Sequence, residues 1–326
     1  MSSPSPEAVL RMARGFMESR ILLTAAELDL FTLLADDDLD ADAVCARLGV
    51  ERRPIVILLD ALAAMGLLAK SGGRYQTPRE AATILANGRP DSVLPMVLHA
   101  AGLWHRWARL TDLARGAADG APTGPSPDLT AFIGAMHVVG APLAERIVAA
   151  VDAQGATNLI DIGGASGTYT VAFLRAVPGM RATLFDRPPV VEMAREHIEE
   201  AGLLHRVNLA AGDFYVDPLP PGHDLAFLSA IIHQNSREQN VALYQKVHGA
   251  LVPGGRLVIR DHVMSADRIH PPAGALFAVN MLVATPEGGT YTLDEIRDDL
   301  LAGGFGRVRQ VHDGSSMDSL VEAYRP

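Results

Sequence analysis

Asn158-Leu-Ile-Asp-Ile-Gly-Gly-Ala-Ser-Gly167 is the stretch on which the fold turns. Its first five residues are β-rich around a single carboxylate, its last five form a glycine loop, and residues 168–177 have helical spacing. Strand, glycine loop and helix in that order are the unit with which open α/β sheets hold a nucleotide. Glycine suits the loop because the chain must turn sharply and admit a ligand to its N–H groups, which a Cβ would obstruct. The spacing is Asp-x-Gly-x-x-x-Gly, with Asp161 on the strand. It is not the dinucleotide pattern Gly-x-Gly-x-x-Gly, because Ile162 stands in the place of the first glycine. A second β-rich run, Ala182-Thr-Leu-Phe-Asp186, ends in a carboxylate nineteen residues after Gly167, placed to reach both hydroxyls of a ribose.

Toward the C-terminus the pattern continues through Ala211-Gly-Asp-Phe214, the strand Asp224-Leu-Ala-Phe-Leu-Ser229, and the turn and strand Leu251-Val-Pro-Gly-Gly-Arg-Leu-Val-Ile259. Strands alternating with helical segments predict a parallel, doubly wound sheet.

Toward the N-terminus the pattern becomes helical. Val9, Met12, Ala13, Phe16 and Met17, then Leu22, Leu23, Ala26, Leu30 and Phe31, recur at the spacing of one or two amphipathic helices before the solvated break Asp36-Asp37-Asp38. Asp40 caps a short helix that Gly49 stops, and residues 51–68 form a second, with Pro54 tolerated in its first turn. Leu67 to Gln76 reads as a hairpin around Gly72-Gly73.

Helix, turn, helix, hairpin is a winged-helix order. DNA is nevertheless a poor partner, because the second helix offers base edges one carboxylate and no basic or amide side chain along Ile55 to Ala69. Residues 1–90 hold 10 Lys+Arg against 12 Asp+Glu, which gives phosphates no electrostatic footprint. Helices this apolar call for a second surface, and another copy of the chain supplies one. Residues 114–128, rich in Gly, Pro and Ala, predict a loop, and Trp104 and Trp107 on one helix face predict core packing.

A chain of 326 residues is about twice the roughly 150 expected of one domain, so two domains are expected. With 48% apolar and 20% charged residues, disordered, collagen-like and coiled-coil classes are excluded. A lone cysteine, Cys45 among alanines and a valine, reads as a small buried hydrophobe in a reducing compartment such as the cytoplasm. The first twenty residues lack the pattern of a secretory signal, and no apolar run is expected to span a membrane. A net charge of −10 disfavours polyanions.

Taken together, Asp161-Ile-Gly-Gly-Ala-Ser-Gly167, Phe185-Asp186, Gly212-Asp-Phe214, Ile231-Ile-His233, Pro253-Gly-Gly-Arg256 and Met281-Leu-Val-Ala-Thr-Pro286 resemble the S-adenosylmethionine-dependent O-methyltransferases of the plant caffeate and hydroxyindole type and their bacterial natural-product relatives. The likeness runs from the winged-helix region to Ala302-Gly-Gly-Phe305. It implies an α/β fold: a Rossmann-like methyltransferase domain over residues 106–326, preceded by an α-helical winged-helix dimerisation domain over 1–105. By the same resemblance Asp161, Gly163 and Gly164 belong to the loop that holds the methionine moiety, Asp186 takes the ribose, Asp213 and Phe214 the adenine, and Ser229 lies near the cofactor's carboxylate. An acidic, carbonyl-rich site suits a sulfonium cation better than the basic loop that a diphosphate wants.

The resemblance also makes His233 the general base and Asp261 its supporting acid. A phenol is a poor nucleophile at neutral pH, and an imidazole at the carboxyl end of a strand can remove its proton as oxygen attacks the methyl group. Phe132, Met136, Phe277, Met281 and Thr285 fall where the family lines its acceptor, suiting a flat apolar molecule. Two departures stand out. The family's His-Asp-Trp is His233-Gln-Asn235 here, and the second carboxylate flanking the histidine falls on Thr290, with Glu287 nearby as a substitute. These keep open a different reaction on the same fold (C-methylation, decarboxylation or hydroxylation), and the winged helix keeps open, further off, a regulator that senses S-adenosylmethionine. Asp261-His262 has no following Asp-Asn pair, so no metal is expected.

Overall fold

A computed structural model describes residues 5–116 and 129–326. These fall into two compact units, one of residues 5–104 with 129–138 and the other of 105–116 with 139–326. The loop expected over 114–128 lies outside the described residues beyond Gly116.

The first unit opens with α1 (Pro6–Glu27) and α2 (Leu30–Leu33). The short strand β1 (Leu39–Asp40) leads into α3 (Ala41–Leu48), where Asp40 Oδ1 accepts the Ala43 N–H at 2.8 Å and Gly49 ends the helix at φ +66°. That is the start and stop read from the sequence. The next helix, α4 (Arg52–Ala64), is shorter than expected because the chain reverses at Gly66, φ +75°. Strands β2 (Ala69–Ser71) and β3 (Arg74–Gln76) form the hairpin around Gly72-Gly73, and β1 adds a third strand by pairing Leu39 with Tyr75. Helices α5 (Arg79–Leu85) and α6 (Leu94–Trp107) follow. Leu30, Phe31, Leu34, Val44, Leu59 and Leu62 make the core, against which Cys45 is only partly buried. The apolar stripe of α1 divides: Leu23 and Ala26 are buried, whereas Val9, Leu10, Met12, Phe16 and Met17 are 51–83% exposed.

After α7 (Leu110–Ala114) comes α8 (Leu129–Val151). By length and composition α8 is apolar enough to cross a membrane, which corrects the expectation that no run reaches that length; a third of its apolar window is buried, and Ala144, Ile147, Val148 and Val151 belong to the second unit's core.

The second unit is built on β4 (Asn158–Ile162), α9 (Thr168–Ala176), β5 (Arg181–Asp186), α10 (Pro188–Glu200), β6 (Val207–Ala211), β7 (His223–Ser229), α11 (Arg237–Ala250) and β8 (Leu251–Asp261). Then come β9 (Val263–Met264), α12 (Pro272–Ala284), β10 (Tyr291–Thr292), α13 (Leu293–Ala302), β11 (Gly306–His312) and β12 (Ser319–Tyr324). The seven-stranded sheet has the order β11-β12-β8-β7-β4-β5-β6. Five neighbours, β8 to β6, are parallel, and the central β4, β5 and β7 are almost wholly buried, as strands covered on both faces are. The expected all-parallel sheet is corrected at one edge. β12 runs antiparallel to β11, because the short link between them permits a hairpin and not a crossover, and it runs antiparallel to β8 as well.

Candidate active site

Register builds the site. Ile162 pairs with Phe185 and Leu228, and Asp186 pairs with Ala211. Gly163, Asp186, Gly212 and Ser229 therefore stand in one row along the carboxyl end of the sheet, where open α/β sheets bind ligands. The chain leaves β4 through Gly163, φ +69°, whose N–H donates to the Phe185 carbonyl at 2.8 Å. A Cβ on Gly163 would lie 2.7 Å from Ile231 Cδ1 and 3.6 Å from the Phe214 ring, and one on Gly164 would lie 2.8 Å from Leu184. Ala165, between them and Gly167, holds φ +50° without being glycine.

The carboxylates divide by orientation. Asp186 Oδ2 accepts the Ala165 N–H at 2.9 Å and Oδ1 the Arg187 N–H at 2.7 Å. Burial raises its pKa, opposed by those two donors. Asp161, 2% exposed, accepts the Thr170 hydroxyl at 2.6 Å, so its side chain ties β4 to α9. Burial pushes it up to about 6. Asp213 accepts the Tyr215 N–H at 2.8 Å, and the rings of Phe214 and Tyr215 lie 4.6 Å apart. Ser229 Oγ accepts from Arg260 Nη1 at 3.1 Å. A cradle that a Cβ would fill, a carboxylate beside it and an aromatic face over it fit a nucleoside with a cationic tail.

His233 follows β7 on a short 3-10 turn, Ile232–Gln234. Its Nδ1 lies 3.0 Å from both oxygens of Asp261, which is 1% exposed and also accepts the His262 N–H at 2.8 Å. Burial pushes the Asp261 carboxyl up, but the His233 ring and the His262 N–H outweigh it, leaving its pKa below the ordinary value. With Nδ1–H committed to the carboxylate, Nε2 is the nitrogen left to accept a proton. Phe277 meets the His233 ring edge-on at 4.8 Å and lies 4.9 Å from His262. The loop after α12 closes on this turn: the Gly289 N–H donates to the His233 carbonyl at 2.8 Å, and a Cβ on Gly288 would lie 2.5 Å from that oxygen.

Asn235, in the place of the family's tryptophan, is fully buried. It accepts from the Tyr215 hydroxyl, donates to Asn240 Oδ1 at 2.9 Å, and through its carbonyl accepts from Tyr291. Sequence reasoning assigned it no role, and its spacing carries no signal of one. Glu287 is exposed and makes no bond to His233, while Thr290 is buried at 7%. Among the described residues the ring has one carboxylate partner, Asp261.

Of the acceptor candidates, Phe277 is brought against His233. Met281 is 5% exposed on α12, and Thr285 closes that helix, its hydroxyl donating to the Met281 carbonyl at 2.8 Å and accepting the Gly288 N–H at 2.9 Å. Phe132 and Met136 lie on the part of α8 in the first unit, where Phe132 stands 5.4 Å from His99. Trp107 corrects the expectation of core packing: it is 38% exposed, bonds Asn280 Oδ1 through Nε1 at 3.0 Å, and joins His262, Leu276 and Phe277 around an open depression of about 560 Å³.

Comparison with known proteins identifies the family. The family described as "O-methyltransferase domain" matches residues 126–306, and "O-methyltransferase dimerisation domain" matches residues 10–87. The chain is 35% identical to the 3-hydroxy-5-methyl-1-naphthoate 3-O-methyltransferase of Streptomyces sahachiroi, over 95% of this chain and 92% of that one. It is 34% identical to the tetracenomycin polyketide synthesis 8-O-methyl transferase TcmO of Streptomyces glaucescens, over 93% and 92%. The crystal structure of human N-acetylserotonin methyltransferase in complex with SAM superposes with a TM-score of 0.81 at 25% identity, covering 100% of this chain and 99% of that one. The cofactor is accordingly S-adenosylmethionine, and the chain belongs to the S-adenosylmethionine-dependent O-methyltransferases that join a dimerisation domain to a Rossmann-like methyltransferase domain.

Proposed function

We propose that this enzyme methylates a phenolic hydroxyl of a small aromatic, polyketide-type acceptor, with His233 taking the proton. The observation that carries this reading is the pair of 3.0 Å contacts from His233 Nδ1 to both oxygens of buried Asp261. A hydroxynaphthoate and a tetracenomycin polyketide in the names of two relatives support the acceptor class.

When bound, S-adenosylmethionine supplies an electrophilic methyl group on a sulfonium. Gly163 and Gly164 let the backbone approach its methionine part, Asp186 takes the ribose hydroxyls, and Asp213 with Phe214 holds the adenine edge and face. His233 Nε2 accepts the phenol proton as the new carbon–oxygen bond forms, and Asp261 fixes the tautomer and offsets the charge of the resulting imidazolium. Phe277, Met281 and Thr285 line the acceptor. Alignment of oxygen against methyl does most of the work; well-oriented reactions gain about 7–11 kcal/mol that way. Residues up to about 105 hold two copies together as a homodimer, a reading supported by the dimerisation match and the exposed apolar face of α1.

The test is His233→Ala. Turnover on a hydroxynaphthoate falls by about 10²–10⁴, while calorimetric affinity for S-adenosylhomocysteine is unchanged. Turnover that survives the substitution sinks His233 as the base.

A further inference from the structure

Among the described residues Arg260 is the one arginine or lysine that is fully buried, at 3% exposure, and no carboxylate lies within ion-pair distance of it. Nη1 donates to Ser229; Nε and Nη2 are buried without a partner. The guanidinium carbon stands 5.2 Å from the centre of the Tyr169 ring, and the Tyr169 hydroxyl, in a residue 8% exposed, is likewise buried and unpartnered. An arginine stays charged at any physiological pH, so a dry guanidinium with one neutral partner is strongly unfavourable unless an anion completes it.

Position says which anion. Arg260 pairs with Ser229 in the β7–β8 register, and two residues back on the same face Phe227 and Val258 share a core cluster with Tyr169. The guanidinium thus lies at the carboxyl end of the sheet, beside the first turn of α9 and next to the row formed by Gly163, Asp186 and Ser229. The Tyr169 phenol, pushed up mainly by burial, also feels Arg260 and Arg146 on one side and Asp161 and Asp318 on the other, of which Arg146 and Asp318 pair with each other at 2.8 Å. The carboxylates of the row, Asp186 and Asp213, suit a sulfonium and an ammonium and leave a carboxylate unmet. Two guanidinium N–H groups beside a phenol O–H match the two oxygens of a carboxylate.

We propose that Arg260 and Tyr169 form a carboxylate receptor that takes the amino-acid end of the cofactor, and that Ser229 acts by steadying the guanidinium. This rests on the cofactor site argued above. The alternative source of the same chemistry is an acidic acceptor, and the experiment separates the two.

Calorimetry is run on wild type, Arg260→Met, Arg260→Lys and Tyr169→Phe with three probes. These are S-adenosylhomocysteine, 5′-methylthioadenosine (which keeps the nucleoside and thioether and lacks the amino acid), and a hydroxynaphthoate added to the S-adenosylhomocysteine complex. Arg260→Met weakens S-adenosylhomocysteine by about 30-fold or more, the loss expected when one side of a buried charge pair is truncated. It leaves 5′-methylthioadenosine unchanged. Arg260→Lys restores part of the loss, Tyr169→Phe shows a smaller one, and the ligand-free melting temperature of Arg260→Met stays level or rises, because an unpaired charge has been removed. Equal weakening of both nucleosides, a loss confined to the hydroxynaphthoate, or a lower ligand-free melting temperature with intact affinity each overturns the proposal. Wild type that binds neither nucleoside removes the cofactor site itself, a distinct result.

Discussion

Ala165 holds the left-handed conformation at φ +50° in a loop whose neighbours Gly163 and Gly167 take +69° and +78°. For an alanine that conformation costs about 1–2 kcal/mol, whereas the extra freedom a glycine gives the unfolded chain costs about 0.4–1 kcal/mol. Ala165→Gly therefore holds or slightly raises stability in urea denaturation, while Gly167→Ala, whose Cβ would meet Ile198 at 2.9 Å, lowers it. Equal losses in both variants would refute the strain at Ala165. The positions of Gly163 and Asp186 were legible in the sequence because what fixes them is local: a turn that needs glycine, a carboxylate at the end of a strand. The surroundings of Asn235 and Arg260 were not, because their partners lie far away in the chain. Tyr291, which bonds Asn235, is 56 residues on, and Ser229 is 31 residues from Arg260.

Elements divide along the same line. Those with caps and turn residues, α3 between Asp40 and Gly49 and the hairpin at Gly72-Gly73, fall where the sequence put them. The two-residue β1 and the antiparallel β12 escaped, because short strands carry no period and direction depends on the link between strands. In α1 the period was right but did not reveal that its first half faces outward. Met12 at 83% and Phe16 at 53% exposure leave an apolar face that a second copy would cover. Replacing both, Met12→Glu with Phe16→Glu, shifts the mass measured by light scattering from dimer to monomer with the helical circular dichroism retained. A dimer that persists would move the subunit contact elsewhere.

At the scale of the whole molecule, two buried carboxylates pull the pH dependence of stability in opposite directions. Asp261 lies below its ordinary pKa, so its contribution is present above the unfolded value near 3.8 and is lost as pH falls through the lower folded one. Asp161, raised to about 6 by burial, binds its proton more tightly folded than unfolded, so stability is lost as pH climbs from about 4 to about 6. Asp161→Asn, which keeps an acceptor for Thr170, removes that loss. Its melting temperature relative to wild type rises between pH 4 and pH 7, by a difference worth on the order of 3 kcal/mol at most. A constant offset across that range would show that Asp161 ionises without penalty.

The bond from Gly289 to the His233 carbonyl, with no room for a side chain on Gly288 beneath it, joins the His233 turn to the end of the helix that carries Phe277 and Met281. That helix cannot be exchanged as an independent cassette. A graft from a relative that brings a side chain to position 288 also displaces the His233 turn, so the helix and the imidazole move as one block and must be redesigned together.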